Sequence, residues 1–272
     1  MNEVLTTIGW IALGLGVGTY GTLIGAGGGF ILVPALLFAY PELSATQVTA
    51  ISLAIVFVNA CSGSLSYARM RRIDYRTGIV LAGATVPGAV VGAIVVALIP
   101  RRIFAAIMGV ALIATSIFLL LRPHGSRSLW LNSRFTVTRS LVDRQQTTYD
   151  YQFNLALAAV FSVGIGFLSS LLGIGGGIIQ VPLLTSFLGF PAHVATATAQ
   201  FVLMFTSATG TITHIVQGVY GPFLRLTIEL AIGVVIGAQV GAALSRRAGG
   251  PVIIRLLAVA LGLAGIRLLF SA

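Results

Sequence analysis

The chain of 272 residues has no lysine, one cysteine, three histidines and six carboxylates. Each shortage removes a class of function. A P-loop needs a Gly-Lys-Ser or Gly-Lys-Thr ending, which a lysine-free chain cannot supply. One thiol, Cys61, allows neither an internal disulfide framework nor a cysteine-ligated zinc cluster. So few histidines and acids, dispersed along the sequence, assemble no nucleophile, base and orienting group. An enzyme is therefore not expected, and neither a metal nor a cofactor is called for.

Apolar residues are what the chain has in plenty. They make up 57% of it against 8% charged, and mean hydropathy is +1.02. No soluble domain of this length could stay in solution with that balance, so the solvent is lipid. The opening Met1-Asn2-Glu3-Val4 carries no positive region, and no small-residue cleavage site follows the first apolar run, so a cleaved signal peptide is not expected. All sixteen basic residues are arginine, giving a net charge of +10. In a soluble protein that would point to nucleic acid. Here the arginines cluster between apolar runs, at Arg69, Arg71, Arg72 and Arg76, at Arg101 and Arg102, at Arg122, Arg127, Arg134, Arg139 and Arg144, and at Arg246 and Arg247. They read as topology determinants and partners for anionic lipid headgroups.

Two glycine runs interrupt the apolar sequence: Gly25-Ala26-Gly27-Gly28-Gly29, leading to Val33-Pro34, and Gly173-Ile174-Gly175-Gly176-Gly177, leading to Val181-Pro182. The matched glycines and prolines all lie 148 positions apart. Further matches, Ser62-Gly63-Ser64 with Thr209-Gly210-Thr211 and Gly88/Gly92 with Gly237/Gly241, extend this into an internal duplication. The Gly-x-x-x-Gly pairs read as helix-packing seams.

Counting apolar runs gives five segments per half: 6–23, 29–40, 46–68, 77–99 and 103–121, then 153–172, 177–190, 194–216, 224–245 and 252–269. The expected architecture is an all-α integral membrane protein made of two membrane repeats, 1–121 and 153–272, joined by a hydrophilic, arginine-rich linker at 122–152. That linker reads as an interfacial cytoplasmic loop. Segments following the glycine runs reach only about 18–21 Å at ~1.5 Å per residue, short of a ~30 Å hydrocarbon core. They are expected to be short or broken helices. An odd number of segments per half inverts the second repeat, and arginine placement favours that arrangement with both termini outside, Arg101 and Arg102 being the main dissenters.

A duplicated glycine break at membrane depth points to a transporter's binding site, because unwound backbone is tolerated there only where protein or a water-filled cavity surrounds it. The helix after each break has free N–H groups and the positive end of its dipole, a site for an anion that needs no buried lysine or arginine. Candidate substrate-binding residues are therefore Gly25, Gly27, Gly28, Gly29, Gly173, Gly175, Gly176 and Gly177. The polar third segments add Asn59, Ser62, Gln200, Thr206 and Thr209, neutral donors that replace hydration without trapping an anion. Gln180, opposite Leu32 in the first repeat, is a one-sided polar contact. Glu229, a carboxylate within an apolar span, and His214 are candidates for proton coupling, although Arg225 at i−4 offers Glu229 an ion pair instead.

The paired G-x-G-G-G motifs with their Val-Pro sequels, together with Ser62-Gly63-Ser64 and Thr209-Gly210-Thr211, resemble the TauE/SafE family, the sulfite exporters, over nearly the whole chain. The resemblance implies a secondary carrier of the bacterial cytoplasmic membrane that exports sulfite or a small organosulfonate with proton coupling. The glycine runs would line its central site. An importer of a sulfur-containing anion such as thiosulfate is the alternative; its reactive cysteine would have to be Cys61, whose counterpart is Ala208.

Overall fold

A computed structural model describes residues 2–121, 134–245 and 250–271. Arg122, Arg127, Arg246 and Arg247, with the Leu129-Trp130-Leu131 stretch, lie outside the described residues. In chain order come α1 (Asn2–Ile24), α2 (Gly29–Ala39), α3 (Ala45–Arg69), α4 (Tyr75–Val95) and α5 (Arg101–Leu121), then strands β1 (Thr136–Val142) and β2 (Thr148–Asn154). The second half holds α6 (Leu155–Leu172), α7 (Gly177–Pro182), α8 (Ala192–Val216), α9 (Leu224–Leu244) and α10 (Gly250–Ser271). Among the described residues, seven helices are long and apolar enough to cross a membrane. The protein is a multi-pass, predominantly helical membrane protein.

Both post-glycine segments are short. Helix α2 has 11 residues, about 16 Å at ~1.5 Å per residue. Helix α7 ends after 6 residues at Pro182, and a π-helical turn, Leu183–Phe187, follows it. The last carbonyls of helix α2 need donors. Arg101 supplies them: Nη1 donates to the carbonyls of Tyr40, at 3.1 Å, and Leu43, and Nη2 to that of Leu37 at 2.7 Å. A helix cap, rather than membrane orientation, thus accounts for one of the dissenting arginines.

Helices pair in a pattern that exchanges the two halves. Helix α1 packs along α9 and α4 along α6, while α3 crosses α8 at the centre and α5 lies beside α10. Glycine makes the close approaches possible. A methyl on Gly88 or Gly92 of α4 would strike backbone of Val163 or Phe167 in α6, and one on Gly237 or Gly241 of α9 would strike Leu15 or Thr19 in α1. These pairs are packing seams.

The joining segment departs from expectation. Instead of a plain loop, residues 136–154 form an antiparallel hairpin that pairs Thr136 with Asn154 and Val142 with Thr148, and the boundary placed at residue 152 falls inside β2. Asp143 shapes the turn by accepting from the backbone N–H of Gln145 at 2.8 Å and of Thr147 at 3.0 Å. Tyr151 and Phe153 point inward, with ring centroids 4.5 and 4.7 Å from Phe190. Asn154 then caps α6 by accepting from Leu157 N–H.

Two carboxylates clip the hairpin to the turn between α3 and α4. Asp74, the N-cap of α4, accepts from Tyr151 Oη at 2.9 Å and from Thr77 Oγ1 at 2.5 Å. Asp143 receives Arg72 Nη2 at 3.4 Å with both side chains buried, and Arg144 N–H donates to Met70 O at 3.1 Å. Burial pushes the Asp143 carboxyl upward. Backbone N–H donors and the Arg72 charge outweigh it, so the group lies below its ordinary value. Tyr151 is raised by desolvation first and by the neighbouring Asp74 charge second.

Candidate functional site

The two glycine breaks lie against each other where α2 and α7 begin. Each short helix opens on a left-handed glycine, Gly28 at φ 83° and Gly176 at φ 76°, a conformation that carries little strain only without a Cβ. Gly29 rests on Gly173 and Ile174, and Gly177 on Gly25 and Ala26. The N-termini of two helices therefore meet in the interior, and the first N–H groups of each lack partners within their own helix. Their dipoles present positive ends to the same region.

Two apolar side chains cover this junction. A Cβ on Gly27 or on Gly175 would meet both Val56 of α3 and Leu203 of α8. Both side chains are buried, and they form one small cluster with Ala60 and Met204.

Beside the junction stands a polar group. Thr22 Oγ1 donates to Asn59 Oδ1 at 2.7 Å, and Gln200 Nε2 donates to Asn59 O at 3.3 Å, with all three side chains fully buried. Gly63 leaves room for the Gln200 amide and Thr22, and Tyr67 Oη donates to Thr22 O at 2.8 Å. Among the described residues, Asn59 Nδ2 and Gln200 Oε1 find no hydrogen-bond partner. On the other side, Ser169 approaches Gly176 and Ser170 approaches Gly210; both hydroxyls are buried and likewise unpartnered. A buried polar atom without a partner costs about 1–3 kcal/mol, and several such atoms lie around this one junction.

Not every residue singled out from sequence belongs here. Ser62 turns toward α9, donating to Val235 O at 3.0 Å and accepting from Gln239 Nε2 at 2.8 Å. Thr209 Oγ1 donates within its own helix, to Phe205 O at 2.9 Å. Thr206 donates to Thr85 Oγ1 of α4, and Gln180 to Ser162 of α6, with Gln180 Oε1 unpartnered. Glu229 accepts from Arg225 Nε at 3.0 Å and Thr7 Oγ1 at 2.9 Å, the ion pair foreseen as its other reading. His214 is fully buried near the end of α8, its Nδ1 3.0 Å from Gln217 Oε1 and its Nε2 without a partner. Thr22, Ser169 and Ser170 are the residues that sequence reasoning passed over. Thr22 and Ser170 stand at the same place in the duplicated motif, three residues before Gly25 and Gly173, and that shared hydroxyl was the available signal.

The sequence profile of the family described as Sulfite exporter TauE/SafE matches residues 10–268. The chain belongs to this family. Among TauE/SafE relatives, a probable membrane transporter protein, YunE, of Bacillus subtilis is 29% identical over 268 residues, covering 96% of each chain. A probable membrane transporter protein, MJ0441, of Methanocaldococcus jannaschii is 25% identical, covering 87% of this chain and 85% of its own. The Arabidopsis thaliana sulfite exporter TauE/SafE family protein 6 is 32% identical over only 80 residues, 29% of this chain and 18% of that one. No solved structure matches the chain. A TauE/SafE protein of the cytoplasmic membrane is a transporter and not an enzyme.

Proposed function

We propose that this transporter exports a small oxyanion, sulfite or an organosulfonate, by alternating access between two inverted repeats, 1–121 and 153–272, driven by the proton gradient. The observation that carries the reading is the meeting of the α2 and α7 N-termini beside Asn59, whose Nδ2 is an unpartnered neutral donor while Thr22 and Gln200 hold the residue in place. An anion can be held by such donors and released again, whereas a buried arginine at the same depth would bind it too tightly to turn over. The exchange of contacts between halves supports the repeat, since α1 with α9 and α4 with α6 are the same pairing seen from either half. His214, buried with a free ring nitrogen, is the proposed proton carrier ahead of Glu229, which an arginine already neutralises.

Counter-flow in proteoliposomes tests the proposal. Vesicles loaded with sulfite, sulfoacetate, thiosulfate or sulfate are followed with and without an imposed pH gradient, beside a Gly29→Ala/Gly177→Ala control. Saturable sulfite or sulfonate flux that responds to the gradient and fails in the control is expected. Thiosulfate flux alone, abolished by Cys61→Ala, would favour the importer; no flux of any anion from folded protein would remove the anion site.

A further inference from the structure

A cavity of about 490 Å³ opens where the hairpin turn meets the end of α3. Its lining includes Arg69, Arg72 and Arg144, together with Ser66, Gln239 and Ala243. Asp143 is the lining carboxylate. Its oxygens are already occupied by two backbone N–H groups and by Arg72, so it neutralises one positive charge and leaves the rest exposed to the cavity. Neither Arg69 nor Arg144 has a carboxylate partner among the described residues. Arg72 is 4% exposed, and its Nη1 is buried without a partner. Fixed positive charge held at a partly covered mouth concentrates anions there.

The inner wall continues toward the central site. Ser66 Oγ donates to Gln239 Oε1 at 2.6 Å, and Gln239 Nε2 donates to Ser62 O at 2.9 Å. Ser62 and Ser66 share a face of α3 with Asn59, at helical spacing. The matching turn at the far end of α8, Val216-Gln217-Gly218-Val219, has the same cap geometry and no charge: Arg71 and Gly218 both take positive φ, 56° and 73°. One mouth of the bundle is therefore cationic and its counterpart neutral.

We propose that the cavity between Arg69, Arg72 and Arg144 is an oxyanion-binding vestibule, a second site distinct from the glycine junction. The ligand class rests on the anion reading above. A sulfonate or inorganic oxyanion and the phosphate of an anionic lipid share the chemistry that three guanidinium groups recognise. The hairpin is what completes the site, since Arg144 comes from its turn while Arg69 and Arg72 come from the end of α3.

The test reads the cavity itself and needs no flux, so it can fail or succeed independently of the transport proposal. Ala243, which is exposed and lines the cavity, is replaced by cysteine in a Cys61→Ala background. Modification by an anionic and a cationic methanethiosulfonate reagent is timed in neutral detergent. The anionic reagent should react roughly tenfold or more faster. Arg69→Gln/Arg144→Gln, which touches no buried contact, should erase that preference while a neutral reagent reacts as before. Slowing by sulfoacetate in detergent identifies a free anion as the ligand, and slowing only in phosphatidylglycerol vesicles, against phosphatidylcholine, identifies a lipid headgroup. Equal rates for the two charged reagents, unaffected by the arginine substitutions and by both ligands, would overturn the proposal.

Discussion

Gly29, the first residue of α2, lies so close to the carbonyl of Gly173 that a Cβ added to it would stand 2.5 Å from that oxygen. Gly177 has the corresponding relation to Gly25. The proposed site is assembled from two loops in backbone contact, an approach that a Cβ at either glycine would block.

Gly29→Ala and Gly177→Ala are each expected to force the loops apart at a cost of about 1–3 kcal/mol and to remove most of the flux. Gly83→Ala, where nothing lies within 4 Å, is expected to leave both stability and flux at or above wild type. Thermal stability in detergent and proteoliposome flux, measured on the same preparations, check the contrast.

Gln200 corresponds in the duplication to Leu53, which packs against Gly210 as Gln200 packs against Gly63. Gln200→Leu should therefore fold, because the fold already accommodates leucine at the equivalent place. Flux should show a raised KM with stability unchanged. Asn59→Asp should be worse for an anion, since it adds negative charge beside the donors; a KM left unchanged in both variants would place the substrate elsewhere.

Glu229→Gln is expected to leave the response of flux to pH gradients unchanged, because Arg225 and Thr7 already hold the carboxylate. His214→Gln should leave anion exchange intact and abolish the gradient response. The opposite pattern would transfer the coupling role to Glu229.

Asp143 has its carboxyl below the ordinary value of 3.8 in the folded protein. A depressed pKa contributes stability that is fully present above the ordinary value and is lost as pH falls through the lower folded one. The contribution of Asp143 to hairpin docking should thus be indifferent to pH from neutrality down to about 4 and be lost below it. Above about pH 4, Asp143→Ala should loosen the hairpin by roughly 3–5 kcal/mol if Arg72 is left buried and unpaired, with the difference shrinking at lower pH. Limited proteolysis of the 143–147 turn across pH measures both.

Arg71 takes the left-handed position that Gly218 fills in the other half. Arg71→Gly is expected to relieve about 1 kcal/mol of backbone strain and raise the unfolding temperature slightly.

Helix order, the short post-glycine helices and the glycine seams were all legible in the sequence. In lipid every backbone polar group must be satisfied within its own segment, so apolar length and glycine placement translate directly into spans and breaks. The hairpin was not legible in the same way. Aromatic residues at 149, 151 and 153 alternate with polar ones, a strand period, but the surrounding charge made the region read as loop. Asn59, Ser62, Gly63 and Ser66 share one face of α3 by helical spacing. What periodicity cannot reveal is which neighbour covers each end of the face: Gln200 of α8 meets Asn59, and Gln239 of α9 meets Ser62. Arg101 looked like a violation of charge placement because its work is done on carbonyls up to 64 positions earlier in the chain.

Val56 and Leu203 each touch both glycine loops, Gly27 in one half and Gly175 in the other. The two halves therefore rest against one shared pair of apolar side chains. In the proposed carrier, moving Val56 or Leu203 off one loop would also move it on the other, so the two ends of the proposed site would change together.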